Sequence, residues 1–336
     1  MMQNPEAPAQ QRFLDREKNM NVARRAEPGH IPVLLEEAMR FLQPRSGGLY
    51  LDATAGGGGH AEAILERSAP GGRIILLDHD ADALARARER LTRFSGRFET
   101  IQGSFASLLH LIGPDVSFDG IIADLGISSL QLESGRGFSF MKDEELDMRM
   151  DSRGRVTAKD LVNSLSEREL EKILFEFGEE RRSRRIASEI VRMREKKEIT
   201  TTLELANLVR RVVARAHAVK SLARVFQALR IAVNQELPGL ERGLPVLLSR
   251  LAPGGRLAVI AYHSLEDRIV KRFFLEAEKG CVCPPDFRSS WCAGGPEGVR
   301  MTRKVVKPGP DETKRNPRSR SGRMRVFERT AGGDVS

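Results

Sequence analysis

The 336-residue sequence predicts an α/β protein whose mostly parallel, doubly wound sheet is interrupted by a block of helices. Three observations carry that expectation. Apolar strand patterns alternate with helix patterns through the first third of the chain, as they do in successive βαβ units. The first strand, Leu49 to Ala53, runs through Asp52 into Gly56-Gly57-Gly58-Gly59, so backbone free of side chains opens the next helix. Strand character then disappears from about Leu146 to Ala223, roughly 80 residues and well beyond an ordinary loop.

Each element follows from its own local signals. Gln3 to Pro28 is polar, of mixed charge, and lacks the apolar stretch of a signal peptide; residues 1–28 are expected to form a tail. The first part of the core is expected over 29–145. After His30-Ile31-Pro32-Val33-Leu34-Leu35 a helix runs through Phe41 and ends before Pro44. Strands follow at Leu49 to Ala53, Arg73 to Asp78, Phe98 to Gln102 and Phe118 to Leu125, with Pro70-Gly71-Gly72 as the turn into the second. A helix from about His60 to Arg67 follows the glycines, and the next one turns Leu84, Ala87 and Leu91 inward and its arginines outward.

The helical block is expected over 146–223. Capping boxes mark three helix starts there: Thr157-x-x-Asp160, Ser166-x-x-Glu169 and Thr201-x-x-Glu204. The second part of the core is expected over 224–330. A helix from about Leu222 to Glu236 ends before Pro238, a strand resumes over Pro253 to Ala261, and Arg300 to Val306 with Met324 to Arg329 closes the sheet as an antiparallel pair. Residues 331–336 are a second tail.

Composition narrows the function. A net charge of +9, with runs such as Arg181-Arg182-x-Arg184-Arg185 followed by Arg192, Arg194, Lys196 and Lys197, fits a polyanionic partner. A second basic stretch holds Arg315, Arg318, Arg320, Arg323 and Arg325. One Trp and two Tyr are too few for a stacking platform for single strands. No apolar run approaches the ~20 residues that span a bilayer, which argues against a membrane partner. The three cysteines, Cys281, Cys283 and Cys292, lie in one segment without an evident fourth ligand, so no metal site is expected. Such sparse cysteine use fits a cytoplasmic location.

Ligands of an open α/β sheet bind beyond the carboxyl ends of its strands. That rule gathers Asp52, the glycine loop, Asp78, Gly103-Ser104-Phe105, Asp124 and His263-Ser264 into one crevice. Gly56-x-Gly58-x-x-Ala61 also satisfies a dinucleotide fingerprint, so the glycines alone do not choose the ligand. Asp52 helps. A pyrophosphate in this turn would face a carboxylate, whereas S-adenosylmethionine (SAM) brings a sulfonium and an ammonium to the acid, and its carboxylate to the loop and helix N-terminus. Asp78 lies 22 positions beyond Gly56, near the offset at which a carboxylate binds ribose hydroxyls. Phe105 either covers an adenine face or, as a solitary Phe after a strand, belongs to the core. Asp124, at the end of the fourth strand, is placed to accept the N–H bonds of an amino group and favour its nucleophilic geometry.

In sequence the chain resembles the bacterial 16S ribosomal RNA cytosine-N4 methyltransferases, the small-subunit methyltransferase H family. The resemblance rests on His30 to Leu35, Asp52-Ala53-Thr54 with Gly58-Gly59-His60, and Asp124-Leu125-Gly126-Ile127-Ser128-Ser129. It continues through Arg136 to Phe140, Leu146 to Asp151, Phe226 to Asn234, His263 to Val270 and Asn316 to Ser321. It implies a class I SAM-dependent methyltransferase fold, Rossmann-like, with an inserted helical subdomain that recognises RNA. It further implies N4-methylation of a cytidine in the decoding region, with 16S rRNA in the small ribosomal subunit as partner rather than DNA. The family's SAM contacts fall here on Gly58, Gly59, His60, Asp78, Phe105, Asp124 and Gln131; His60 and Gln131 come from the resemblance alone. The chain departs from the family's usual residues at Ala55, Gly57, Leu130 and Lys220 to Arg224.

Overall fold

The structure is a computed structural model and describes residues 32–127, 131–132, 134–280 and 295–330. Both tails, His30-Ile31, Ser128-Ser129-Leu130 and all three cysteines lie outside the described residues.

Helix α1 (Leu35–Leu42) precedes β1 (Leu49–Asp52), and α2 (Gly59–Arg67), β2 (Arg73–Asp78), α3 (Ala81–Arg90) and β3 (Phe98–Gln102) follow. A short α4 (Leu108–Leu111) leads to β4 (Phe118–Asp124), and β5 (Leu251–Ala261), β6 (Gly298–Arg300) and β7 (Arg323–Arg329) complete the sheet. Its order is β3-β2-β1-β4-β5-β7-β6. The first five strands run parallel, and β7 lies antiparallel between β5 and β6. Of the expected closing pair, the first strand is shorter than its sequence suggests: β6 stops at Arg300, and Val306 meets Met324 only through an isolated bridge.

Both faces of the sheet are covered, and alternation along each strand decides which face a side chain serves. Leu51, Ile121, Leu257 and Val259 enter one core, while Tyr50, Ile122, Ala258 and Ile260 enter the other. The first core also takes Phe274 of α11 (Ser264–Lys279; α5 to α10 are given below), and the second takes Leu84 of α3. In register, Asp52 pairs with Ile122 and Asp124 with Ile260, so the carboxyl ends of β1, β4 and β5 finish together. The strand order reverses between β1 and β4, where ligand crevices open in such sheets.

Between β4 and β5 stand α5 (Ala158–Ser164), α6 (Glu167–Glu176), α7 (Ser183–Arg194), α8 (Thr202–Val212) and α9 (Ala218–Asn234). All three capping boxes form, each satisfying two otherwise unpaired backbone donors. Leu170, Leu174, Ile186, Ile190, Leu205 and Val209 share one apolar core. Helix α9 runs across the division expected at Ala223. It begins at Ala218, and Val225, Phe226 and Leu229 sit in the same core as the helices before them. An amphipathic helix buries one continuous stripe, and this stripe faces the helical block.

Helix α10 (Glu236–Ser249) was not expected from the sequence. Helix α9 ends at Asn234, before Pro238 as expected, and Pro238 sits in the first turn of the new helix, where its missing N–H has no intrahelical partner to lose. Further along, Gly243 lies against the Phe105 ring, and a Cβ there would collide with it.

Candidate active site

The turn after β1 is built around two acids. Asp52 is buried, and its Oδ1 accepts from the Thr54 N–H at 3.2 Å. Burial pushes its carboxyl up to about 8, the Thr54 N–H opposes that rise, and the charges of Asp124 and Asp78 add to it. Asp78, at the end of β2, accepts from Gly56 N–H at 2.8 Å and Asp80 N–H at 2.9 Å, one on each oxygen. Each oxygen retains a lone pair for a further donor. Burial raises its pKa as well, against those two hydrogen bonds.

The glycines between these acids do different jobs. Gly58 has φ +77°, a conformation that costs a side-chain-bearing residue, and it starts α2. A Cβ on Gly59 would collide with Pro32, so close packing excludes one. At Gly56 and Gly57 a Cβ would meet nothing within 4 Å; here the loop borders open space.

Asp124 is the meeting point. Its backbone N–H donates to Thr54 Oγ1 at 2.6 Å, joining the turns after β1 and β4. The Tyr262 hydroxyl, just past β5, donates to Asp124 Oδ1 at 2.7 Å. Oδ2 lies 3.8 Å from His60 Nδ1. Because the Val33 carbonyl, 3.1 Å from His60 Nε2, can only accept, Nε2 carries the ring proton and Nδ1 faces the carboxylate. Burial pushes the Asp124 carboxyl up to about 7, opposed by the Tyr262 hydrogen bond and reinforced by the Glu266 charge. Its side chain keeps one-fifth of its surface exposed, enough for an incoming group to reach it.

The structure thus brings Asp52, Asp78, Asp124, the glycine loop and His60 to neighbouring strand ends. Gly103 adjoins them through its N–H on the Asp78 carbonyl. Phe105 is placed differently: the ring is almost wholly buried, in one core with Leu244 of α10 and over Gly243. Gln131 is buried, and its carbonyl accepts from the Ser134 N–H and hydroxyl. His263 caps α11, and the Ser264 hydroxyl donates to Glu179 Oε2 at 2.6 Å, away from Asp124. Sequence reasoning missed Tyr262 and Thr54. Tyr262 carried a signal, as one of only two tyrosines and the residue directly after an apolar strand.

A buried pocket of carboxyls beside bare backbone is suited to a ligand with positive charge and little bulk near the chain. Residues 27–330 match the MraW methylase family. The chain belongs to that family. Its curated relatives include the ribosomal RNA small subunit methyltransferase H of Geobacter sp. (strain M21), 50% identical over 307 residues, which span 89% of this chain and 98% of the relative. The protein of the same name from Heliobacterium mobile is 47% identical over 307 residues, with the same coverage. That from Thermomicrobium roseum is 48% identical over 306 residues, covering 90% and 94%. The fold of this MraW methylase family member is a mostly parallel seven-stranded sheet with helices on both faces. SAM is its cofactor, and the donor set fits: buried acids for the sulfonium and ammonium, open glycine backbone for the carboxylate.

Proposed function

We propose that this protein transfers a methyl group from SAM to N4 of one cytidine in the decoding region of 16S rRNA within the small ribosomal subunit. The observation that carries the reading is Asp124: an acid at the end of β4, one-fifth exposed, oriented by Tyr262 and poised near neutrality. In this reading Gly58, Gly59, His60, Asp78, Phe105, Asp124 and Gln131 hold SAM, Asp78 by the ribose hydroxyls and Phe105 as part of the pocket wall. Bound there, SAM supplies an electrophilic methyl carbon on sulfur.

The chain's own residues do the rest. The lone pair of a cytosine amino nitrogen is delocalised into the ring. Asp124 Oδ2, accepting one of its N–H bonds, draws that lone pair toward the nitrogen. The nitrogen must shed a proton as the new bond forms, and a carboxyl near pH 7 is matched to taking it. No covalent enzyme intermediate is required, since the amine is itself the nucleophile.

The helical block is proposed to hold the RNA. Arg181, Arg184 and Arg185 are exposed at the start of α7, which has no acidic residue in its first turn. Cations there oppose the helix dipole, so α7 gains no stability from them. A phosphate would repay that cost. Arg182 stands apart, half-buried and donating to the Val212 carbonyl at 3.3 Å. No helix among the described residues is long and apolar enough to cross a membrane, and the proposed site of action is the cytoplasm.

Labelled SAM incubated with small subunits lacking the modification tests the reading. Nuclease digestion and mass spectrometry should find N4-methylcytidine at one position; 5-methylcytidine or N6-methyladenosine, or no transfer, would refute it. Assembled subunits should be better substrates than naked fragments, because so few aromatics are present to capture a single strand.

A further inference from the structure

Just behind the Asp124–Tyr262 contact lies a buried cluster of four charged or titratable groups drawn from three helices and the end of β5. Glu266, on α11, is almost wholly buried. Its Oε2 accepts from the Tyr262 N–H at 2.9 Å and the His263 N–H at 3.3 Å. Its Oε1 lies 3.2 Å from His263 Nε2. From the helical block, Arg230 on α9 forks onto Glu236 at the start of α10, with two bonds of 2.8 Å. Burial disfavours the charge on Glu266, but His263, Arg230 and the Tyr262 N–H together hold its carboxyl below the usual range.

Glu236, His263 and Glu266 present ligand atoms within 4.8 Å of one another, the composition of a metal site. Two contacts argue against a metal. His263 Nδ1 accepts from the Glu266 N–H at 3.4 Å, which leaves the ring proton on Nε2 and no lone pair there for an ion. Arg230 also sets its positive charge on both Glu236 oxygens, which opposes a second cation there. The cluster is instead a set of opposed charges enclosing one backbone segment, and that segment carries Tyr262.

We propose that Glu266 is a positioning residue for methyl transfer: by gripping the Tyr262 and His263 backbone it fixes the Tyr262 hydroxyl on Asp124, and the Arg230–Glu236 pair ties that grip to the helical block. The proposal rests on the reading of Asp124 given above. Its geometry is two direct contacts, Glu266 on the Tyr262 N–H and the Tyr262 hydroxyl on Asp124, with the Arg230 charge acting on Glu266. Both contacts end on a carboxyl in a water-poor setting, where displacement of one group moves the next. Asn234, one turn beyond Arg230 on α9, holds the Met148 carbonyl and Met150 N–H, so the same helix also anchors the loop that leads into the block. A shift of α9, such as RNA docking on the block would impose, therefore has a direct route to the reacting carboxylate.

The test is a double-mutant cycle between Glu266→Gln and Tyr262→Phe, with SAM affinity and turnover measured on the full chain. Glu266→Gln keeps the shape and one carbonyl acceptor but loses the charge. It should lower kcat about tenfold while leaving the SAM Kd within about twofold, and its effect should vanish in the Tyr262→Phe background. A second readout is independent of catalysis. The chain has two tyrosines, so carbon-labelled tyrosine gives two ring resonances by NMR, assigned with Tyr262→Phe; the Tyr262 resonance should move in Glu266→Gln. Should Glu266→Gln fail to fold, Arg230→Lys, which keeps the cation and loses the fork, should produce a smaller loss that Tyr262→Phe also abolishes. A tenfold loss that persists in the Tyr262→Phe background, or an unmoved Tyr262 resonance, overturns the proposal. Normal turnover in Asp124→Ala would instead overturn the functional reading itself.

Discussion

Acidic residues at the strand ends and acidic residues in the helical block are under opposite pressure. Asp52, Asp78 and Asp124 are pushed toward the neutral form because burial has removed water and hydrogen bonds only partly compensate. In the block, Asp160, Glu169 and Glu204 are held ionised by capping hydroxyls, backbone N–H groups and, for Glu204, Lys197. The same side chains are spent on different ends. In the block they finish helix termini and neutralise the protein's own cations, so they stabilise the fold. In the crevice they are left short of positive charge, a destabilising arrangement that a cationic ligand would relieve.

Asp124 is where that contrast breaks most visibly. Replacing it with Ala should cut turnover by about 100-fold or more, the scale of losing one group aimed at developing charge. SAM affinity should fall far less; steady-state kinetics with labelled SAM beside calorimetry separates the two. An equal loss in both would make Asp124 a cofactor ligand only.

Asp78→Ala sharpens the cofactor side. Loss of a charged acceptor for the ribose should weaken SAM by roughly 1.5–3 kcal/mol, about 10- to 150-fold, with folding checked by circular dichroism. Unchanged affinity would remove Asp78 from the site.

Smaller effects belong to the block. Replacing Arg181, Arg184 and Arg185 with Gln should weaken subunit binding and flatten its salt dependence, with SAM binding intact. Arg182 is left in place because its guanidinium holds the Val212 carbonyl. Normal methylation across a salt series would make this a solvated face. The block's acids also give it an acid limit. Glu204 has a folded pKa lowered to about 2 from an ordinary 4.5, so its contribution is complete above 4.5 and lost as pH falls toward 2. Glu204→Gln should make thermal stability less sensitive to pH across that window.

How much of this was legible in the sequence follows from how local each signal is. The parallel strands announced themselves because residues such as Ile121 and Ile122 face opposite cores and both must be apolar. Capping boxes were legible because all their partners lie within four residues. Pro238 marked correctly that one helix ends before it, but α10 went unread because a proline has the same sequence signature after a helix end and in the first turn of the next helix. No local signal along α9 says which neighbours it joins, because the face it buries depends on contacts far away in the chain. In the site, the acids and glycines could be gathered by the strand-end rule. The rule reached Tyr262's neighbourhood through His263, but the bond of its hydroxyl to Asp124 was not legible, since the two lie 138 residues apart and only the β4–β5 register brings them together.

Proton-linked binding of SAM tests most directly whether the crevice acids are held neutral for a cationic ligand. With Asp52 at about 8 and Asp124 at about 7, both carry substantial proton occupancy at neutral pH before the ligand binds. A ligand with net positive charge lowers both values, so binding should release protons, and affinity should rise with pH until these carboxyls are ionised. Titration calorimetry at pH 7 in two buffers of different ionisation enthalpy reads the proton count. The account predicts release, diminished in Asp52→Asn; buffer-independent heats, or proton uptake, would contradict it.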